Sequence, residues 1–312
     1  MKVAFVGAGP VGLEHLKAFR SLDVEIVGLC TKGEESGRQL ASQHGFPFYT
    51  NSVAELYEHT RADAVVAALP IAEMISVYPT LFARPWASLV EKPLGLDMAE
   101  AAELHGLAGR LKHRGFVGFN RRHYQSTKAA QTVIGRCSGP RHVIVFDQQD
   151  RDVAATHGHP ESVVRNYMYA NSIHLLDYFS MFCRGQLVDV IPIKPWTGEH
   201  GVTMEVELRF DSGDTGRYHA VWEQSARWAI HVHAADTVAT MKPLEKLAVT
   251  INGEDATPTI DYRVDDQFKP GFHDQAAAFV ASVGTGGQMC PNFDEALRTT
   301  RLVARVYGHQ VF

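Results

Sequence analysis

The 312-residue chain lacks several features that would place it in a specialised class of protein. Its four cysteines are Cys30, Cys137, Cys183 and Cys290. They are far apart and form no C-x-x-C motif, which is typical of reduced, mostly buried thiols in a cytoplasmic protein. No stretch approaches the roughly 20 apolar residues that span a bilayer. Because glycine interrupts the apolar start at Gly7, we expect a strand there and no signal peptide.

The chain also lacks an excess of charge of one sign. Its 30 Lys and Arg residues face 35 Asp and Glu residues, a formal net charge of -5, and no long run of like charge occurs. This balance argues against a nucleic-acid partner. Hydrophobic residues at 45% and charged residues at 21% are typical of a globular protein, and the length favours two domains.

The strongest motif lies in the first fifteen residues. An apolar strand at residues 1–6 is followed by Gly7-x-Gly9-x-x-Gly12, and a helix begins near Leu13. In this context the motif predicts a dinucleotide site. Gly7 allows the tight turn, Gly9 lets the backbone approach a pyrophosphate, and Gly12 lets the helix pack on the strand. The alternative is a merely structural turn.

Strands and helices alternate over the first 120 residues. Predicted strands lie at residues 1–6, 24–30, 47–49, 64–68, 87–90 and 116–118, with helices between them at residues 34–44, 53–59, 71–82 and 98–112. Strict alternation predicts a doubly wound parallel sheet. We therefore expect an α/β Rossmann domain over residues 1–120.

Residues 121–312 show a different pattern. A helix is predicted at residues 122–134, and alternating runs follow at residues 142–148, 188–194, 203–210, 215–222, 228–234 and 246–251. These runs predict an α+β domain with a mostly antiparallel open sheet, which would bind substrate and mediate oligomerisation. Two late helices, at residues 272–283 and 292–307, close the chain and are candidates for packing back on the first domain.

The second strand ends in Thr31 and Lys32. An NAD site usually places an Asp or Glu about 20 residues after the glycines, where it accepts from the ribose 2′-OH. A hydroxyl and a cation suit a 2′-phosphate instead, so the sequence favours NADP over NAD. Lys32 on a solvated loop is the alternative, and Glu34 or Glu35 could still serve NAD.

The fifth strand ends in Glu91-Lys92-Pro93. Ligands of doubly wound sheets bind outside the carboxyl ends of the strands. A lysine there can exchange protons when burial lowers its pKa. The alternative is an exposed Glu-Lys pair of little energetic value.

Four motifs occur together and in order: Gly7-x-Gly9-x-x-Gly12, Glu91-Lys92-Pro93, residues 118–122 (GFNRR) and residues 173–177 (IHLLD). With them the whole chain resembles the Gfo/Idh/MocA (glucose–fructose oxidoreductase/inositol dehydrogenase) family of NAD(P)-dependent oxidoreductases. The E-K-P tripeptide is the most specific of these motifs. Residues 294–297 (DEAL) also resemble the family's C-terminal segment.

The resemblance implies individual roles. Lys92 would bind the substrate hydroxyl and help to move its proton, and His174 would be the partner acid or base, since a neutral imidazole suits proton uptake near neutral pH. Asp177, one turn after His174, is the third catalytic candidate. Buried structural roles are the alternatives for His174 and Asp177.

The complete set of site predictions follows from the motif and the resemblance. The predicted cofactor-binding residues are Gly7, Ala8, Gly9, Pro10, Val11, Gly12, Thr31, Lys32, Leu69, Pro70, Glu91, Lys92, Asn120 and Arg121. The predicted substrate-binding residues are Lys92, Arg122, Tyr169, Asn171 and His174. No metal site is expected, because His231 and His233 have no third ligand.

Two positions depart from the family pattern. Many members carry an Asp four residues before the histidine, where this chain has Ala170, followed by the uncharged Asn171. Met74 stands where a His often follows the proline at the end of the fourth strand. The substrate therefore need not be inositol or glucose.

We expect hydride transfer between nicotinamide and the hydroxyl or keto carbon of a sugar, cyclitol or related carbohydrate derivative. The alternatives are an NAD-dependent glycoside-hydrolysing enzyme of the same fold and a non-enzymatic nucleotide-binding regulator. We expect a cytoplasmic homodimer or homotetramer that associates through the open sheet face, because that face would expose a large apolar patch in a monomer. No nucleic-acid or membrane partner is expected.

Overall fold

The computed structural model describes residues 1–311 and divides into two compact units. The first unit comprises Met1–Asn120 together with Val264–Leu297. The second comprises Arg121–Arg263 together with the described residues from Arg298 onward. The late segment that contains residues 272–285 is thus part of the first unit.

The first unit contains a parallel sheet with helices between its strands. In chain order its elements are β1 (Lys2–Val6), α1 (Pro10–Arg20), β2 (Glu25–Cys30), α2 (Glu34–Gln43), β3 (Tyr49–Thr50), α3 (Val53–Thr60), β4 (Ala64–Ala67), α4 (Ile71–Phe82), β5 (Ala87–Val90), α5 (Met98–Arg110) and β6 (Gly115–Val117). The strand order is β3-β2-β1-β4-β5-β6, and all neighbours are parallel.

Local sequence explains these elements. Every residue of β4 and of β5 is buried, as expected for central strands of a sheet covered on both faces. Ser52 and Asp97 cap α3 and α5, because their side chains accept hydrogen bonds from the backbone N–H groups of Glu55 and Glu100. The strand order reverses between β1 and β4, where doubly wound folds bind their ligands.

The second unit is built around a larger sheet. After a 3₁₀ turn at Asn120–His123 the chain forms α6 (Gln125–Ile134), β7 (Arg141–Gln149), α7 (Arg151–Thr156), α8 (Glu161–Arg165), a π-helical segment (Met168–Ser172) and α9 (Ile173–Phe182). The strands β8 (Leu187–Lys194), β9 (Thr203–Phe210), β10 (Thr215–Trp222), β11 (Ala229–Ala234), β12 (Thr237–Met241), β13 (Leu247–Ile251) and β14 (Glu254–Ala256) follow. The last three helices in chain order are α10 (Arg263–Gln267), α11 (Phe272–Thr285) and α12 (Phe293–Tyr307). Of these, α11 lies entirely in the first unit.

The order of this sheet is β14-β13-β12-β11-β7-β10-β9-β8. Its neighbours are antiparallel except β7 and β10, which are parallel. The predicted fold class, a Rossmann domain followed by a mostly antiparallel α+β domain, is confirmed. The predicted helix at residues 122–134 was too long, because a 3₁₀ turn precedes α6, and the short strands β12 and β14 were missed.

The open sheet face differs from the expectation of a large apolar patch. Alternate residues of β7, β9, β10 and β11 are partly exposed, and most are polar: His142, Ile144, Phe146, Glu205, Glu207, Arg217, His219, His231 and His233. Arg217 also pairs with Glu205 and Glu207 at 2.9 and 2.7 Å. The outward positions of these strands thus carry ionisable side chains around a small apolar centre.

Candidate active site

The glycine motif forms a loop that only glycine fits at two positions. Gly7 has φ +86°, and a Cβ there would lie 2.2 Å from the Ala68 carbonyl oxygen. A Cβ on Gly12 would lie 2.7 Å from the Gly7 carbonyl oxygen, whereas a Cβ on Gly9 would meet nothing within 4 Å. The backbone at Gly9 is therefore open to a ligand.

Helix α1 begins directly after this open position, with Pro10 at its start and no acidic residue in its first turn. A helix N-terminus with these properties attracts anions through its N–H groups and its partial positive charge. Leu69 and Pro70 follow β4, the neighbour of β1 at the point where the strand order reverses. The loop therefore fits the pyrophosphate of a dinucleotide.

Lys32 follows β2 and forms an ion pair that the sequence did not suggest. Its Nζ lies 3.3 Å from Oε1 of Glu73, and the two side chains are 87% and 42% exposed. Beside it, the Tyr49 hydroxyl donates to the Gly33 carbonyl at 2.8 Å and lies 3.4 Å from Thr31 Oγ1. Glu73 lies in the first turn of α4. Its position just after a central strand was the sequence feature that could have indicated a residue near the ligand site.

Glu91 is engaged within the first unit. His15 Nε2 on α1 lies 2.7 Å from Glu91 Oε1, and the side chains are 1% and 12% exposed. The His15 ring also packs against Phe272, with centroids 4.7 Å apart. This pairing argues against the predicted contact of Glu91 with the cofactor, because its carboxylate already holds α1 against the end of β5. Lys92, the next residue, is half-buried.

Asn120 and Arg121 each contact a residue of the same unit. Asn120 is 9% exposed, and its Nδ2 donates to the Pro270 carbonyl at 3.1 Å. Arg121 places its guanidinium carbon 4.3 Å from the centroid of the Trp228 ring, a cation–π geometry. Each of these predicted cofactor ligands thus has a protein partner.

Arg122 and Asp177 bind each other. Arg122 Nε donates to Asp177 Oδ2 and Nη2 donates to Oδ1, both at 2.7 Å. Thr299 Oγ1 donates to Asp177 Oδ1 at 3.0 Å, and Asp177 is 2% exposed. This geometry argues against the predicted catalytic role of Asp177 and against Arg122 as a direct substrate ligand.

The helical segment that ends in α9 carries three further predicted residues. His174 lies in the first turn of α9 and is 6% exposed. Tyr169 is 1% exposed, and its hydroxyl lies 2.9 Å from His309 Nδ1, which argues against the predicted substrate contact. Asn171 is half-buried and donates from Nδ2 to Gln149 Oε1 at 2.8 Å. Ala170, which replaces the usual family Asp, is buried.

The described residues, 1–311, show neither a metal-binding cluster nor a membrane-spanning helix. They contain no group of three His, Cys, Asp or Glu side chains placed to hold a metal ion. In the same residues no helix has the length and apolarity that crossing a membrane requires.

Residues 1–119 match the model of the Gfo/Idh/MocA family, described as an oxidoreductase family with an NAD-binding Rossmann fold. A 4-carboxy-2-hydroxymuconate-6-semialdehyde dehydrogenase from Sphingobium is 23% identical over 222 residues, which cover 69% of each chain. The family match confirms the predicted resemblance and the predicted enzyme class, an NAD(P)-dependent dehydrogenase acting on CH–OH groups.

Solved structures share the fold over nearly the whole chain. A UDP-N-acetylglucosamine 3-dehydrogenase from Acidithiobacillus ferrooxidans is 17% identical with a TM-score of 0.78, and the match covers 98% of this chain and 96% of that one. An oxidoreductase from Agrobacterium radiobacter, solved with NAD+, L-tartaric acid and magnesium, is 15% identical with a TM-score of 0.82, covering 99% and 95%. The family match itself places residues 1–119 in the NAD-binding Rossmann domain of the Gfo/Idh/MocA oxidoreductase family.

Proposed function

We propose that this chain oxidises a CH–OH group of a sugar, cyclitol or related carbohydrate derivative, or reduces the corresponding ketone. Residues 1–120 would bind the dinucleotide and residues 121–312 the substrate. The observation that carries the proposal is the position of Lys92, which follows β5 at the same sheet edge as the glycine loop. When bound, the nicotinamide supplies the hydride acceptor or donor.

Lys92 and His174 exchange the hydroxyl proton in this proposal. Lys92 is half-buried and His174 is 6% exposed, so both side chains are largely shielded from bulk water. Asp177 serves instead as a positioning residue, because its ion pair with Arg122 anchors α9, the helix that carries His174. The substrate class is supported by the structural likeness to a UDP-N-acetylglucosamine 3-dehydrogenase.

The proton roles are tested with the variants Lys92→Met and His174→Gln. Wild type and variants are assayed for nicotinamide reduction with NAD+ or NADP+ and a panel of myo-inositol, D-glucose and UDP-N-acetylglucosamine. Loss of a general acid or base costs about 10²–10⁴-fold in kcat, while nicotinamide binding should change little.

Two exposed residues provide matched controls for this assay. Lys112→Met and His157→Gln replace side chains at the surface of their units, so they should retain wild-type turnover. Turnover within about threefold of wild type in either site variant would contradict that residue's role. No turnover of any panel member by wild type would contradict the substrate class.

We further propose that NADP is preferred over NAD, with Thr31 and Lys32 at the 2′-phosphate. Lys32 is exposed and its partner Glu73 is held at 3.3 Å, so the cation can turn to a phosphate at small cost. Nicotinamide fluorescence titrations with NADPH and NADH should show about tenfold weaker NADPH binding in Lys32→Glu. Lys112→Glu is the control, and tighter binding of NADH than of NADPH by wild type would refute the preference.

We also propose self-association through the open sheet face. Phe146 on β7, near the centre of this face, is 40% exposed, and Val188 and Ile193 on the edge strand β8 are 62% and 49% exposed. Sedimentation should show a dimer or tetramer for wild type and a smaller species for Phe146→Glu. Val153→Glu, at an exposed apolar residue of α7, is the control. A monomeric wild type would refute the proposal.

A further inference from the structure

Three side chains in the second unit form a hydrogen-bonded relay that ends at Asn171. Asp147 and Gln149 lie on the inward face of β7 and are 2% and 1% exposed. Gln149 Nε2 lies 2.7 Å from Asp147 Oδ1, and Asn171 Nδ2 lies 2.8 Å from Gln149 Oε1. Two buried residues that the sequence did not suggest thus hold a predicted substrate ligand.

The hydrogen bonds of this relay run in one direction. Gln149 donates from its NH₂ group to Asp147 Oδ1, so its carbonyl oxygen is turned the other way. Its carbonyl then faces Asn171, which must donate from its own NH₂ group. The Asn171 carbonyl oxygen, Oδ1, is left pointing away from the relay.

Other donors also bind the Asp147 carboxyl group. The Tyr218 hydroxyl donates to Asp147 Oδ2 at 2.6 Å, and Ser172 also hydrogen-bonds to this carboxylate. Burial raises the pKa of Asp147 above its usual value, and the bonds from Tyr218, Ser172 and Gln149 and the charge of Arg121 offset only part of this rise. Tyr218 in turn lies 2.8 Å from the Tyr307 hydroxyl, so the donors are themselves held in place.

Asn171 is the one residue of its helical segment that is not buried. Asn171 lies in the π-helical segment Met168–Ser172, whose other four residues, Met168, Tyr169, Ala170 and Ser172, are buried. Asn171 is half-buried and comes three residues before His174 on the same continuous helical stretch. Such π-helical turns are rare and often occur at functional sites. The accessible end of the relay is therefore the Asn171 carboxamide.

We propose that Asn171 Oδ1 is a fixed hydrogen-bond acceptor that selects a donor on the substrate, a hydroxyl or an amide N–H, near the reacting carbon. The inference rests on the proposed function and narrows it. A carboxylate or phosphate oxygen at this point would meet another acceptor and be rejected. Asp147 and Gln149 are positioning residues, because they orient the carboxamide without touching substrate.

The test uses sugars that differ in one hydroxyl group. Calorimetry on the NADH-loaded protein gives dissociation constants for D-glucose and for its monodeoxy and monodeoxyfluoro derivatives. Fluorine replaces the hydroxyl without being able to donate a hydrogen bond. At the sugar position whose hydroxyl donates to Asn171, the fluoro sugar should bind no better than the deoxy sugar. Both should bind about tenfold more weakly than D-glucose.

Variants connect this discrimination to the relay. Asn171→Leu should weaken D-glucose about tenfold and leave that deoxy sugar unchanged, because the lost hydroxyl and the lost acceptor are the same contact. Gln149→Leu should raise KM more than it lowers kcat. Asp147→Asn should weaken the discrimination between the hydroxyl and the fluoro sugar, because an amide at residue 147 can donate to Gln149 and so reverse the hydrogen bonds of the relay. Asn166→Ala is the control, since the Asn166 side chain donates to the Ser162 carbonyl of the preceding helix and is not part of the relay.

Each outcome decides the assignment. A fluoro sugar that binds better than its deoxy counterpart, or discrimination that survives Asn171→Leu, overturns it. Discriminating binding without nicotinamide reduction refutes the dehydrogenase activity but supports the acceptor. No binding of any of these sugars overturns both the acceptor for carbohydrate hydroxyls and the proposed substrate class. Equal losses for all sugars in Gln149→Leu would mark a merely structural relay.

Discussion

Two ion pairs lie at positions where the sequence suggested ligand-binding residues, and they differ in nearly every physical respect. Arg122 and Asp177 form two hydrogen bonds, and their side chains are 16% and 3% exposed. Lys32 and Glu73 form one longer contact of 3.3 Å, with side chains 87% and 42% exposed. The first pair joins residues 55 positions apart in one unit, and the second joins residues 41 positions apart in the other.

The difference shows which charge is available to a ligand. Separating Arg122 from Asp177 would leave a buried carboxylate without its counter-charge, which costs several kcal/mol. An exposed Lys–Glu pair gains about 0–1 kcal/mol and can be exchanged for a phosphate. A charge in a motif is thus a candidate ligand only when its protein partner holds it weakly.

The largest expected effect is on folding when the buried pair is broken. Asp177→Leu should lower the free energy of unfolding by about 3–5 kcal/mol, because it removes the carboxylate that accepts two hydrogen bonds from the largely buried Arg122 guanidinium. Urea unfolding followed by circular dichroism measures this change. The double variant Arg122→Met/Asp177→Leu is the control and should recover most of the loss. A single variant within about 1 kcal/mol of wild type would show that the pair is not a structural anchor.

A half-buried histidine in the first unit extends the comparison. His113 Nε2 lies 2.8 Å from Ser88 Oγ, and burial lowers the pKa of His113 to about 4. The unfolded chain binds this proton near pH 6.5 and the folded chain only near pH 4. Stability contributed by the neutral ring is therefore present above about pH 6.5 and is lost as the pH falls towards about 4.

Urea midpoints measured between about pH 7 and pH 4.5 test this expectation. His113→Gln should flatten the pH dependence, though not abolish it, because burial also lowers the pKa values of His142 and His231. His157→Gln, at an exposed turn, should keep the wild-type slope. An unchanged slope in His113→Gln would mean that the folded ring takes up its proton without cost.

Short-range patterns explain what the sequence could predict. The glycine loop, the buried runs of β4 and β5 and the position of Lys92 all depend on residues that are neighbours in the chain. Spacing alone therefore revealed the Rossmann domain and the end of β5.

Pairings between distant residues could not be read in the same way. His15 with Glu91 and Asn171 with Gln149 are brought together by the fold, across 76 and 22 residues. The fold likewise brings Arg122 to Asp177, so the carboxylate that the sequence offered as a catalytic group is bound by an arginine. Sequence thus located the chemical groups but not the partners that determine which of them can act.

A smaller effect is expected at the exposed pair. Glu73→Gln frees Lys32 from its carboxylate and removes a negative charge near the proposed 2′-phosphate. NADPH binding should tighten about two- to fivefold while NADH binding stays the same, a gain of about 0.4–1 kcal/mol. Fluorescence titration measures both constants. Glu58→Gln, in the exposed pair with Arg61 on α3, is the matched control. Equal tightening of NADH would place Glu73 at another part of the cofactor.

The smallest effect is expected on stability at the same exposed pair. Lys32→Ala should change the free energy of unfolding by no more than about 0.5 kcal/mol, because a cation that is 87% exposed loses little hydration or packing on removal. The change should shrink further at high salt, where the contact is screened. Urea unfolding at low and high salt measures both. A loss comparable to that of Asp177→Leu would mean that Lys32 is held as firmly as Arg122, and it would remove the physical basis for assigning this cation to the cofactor.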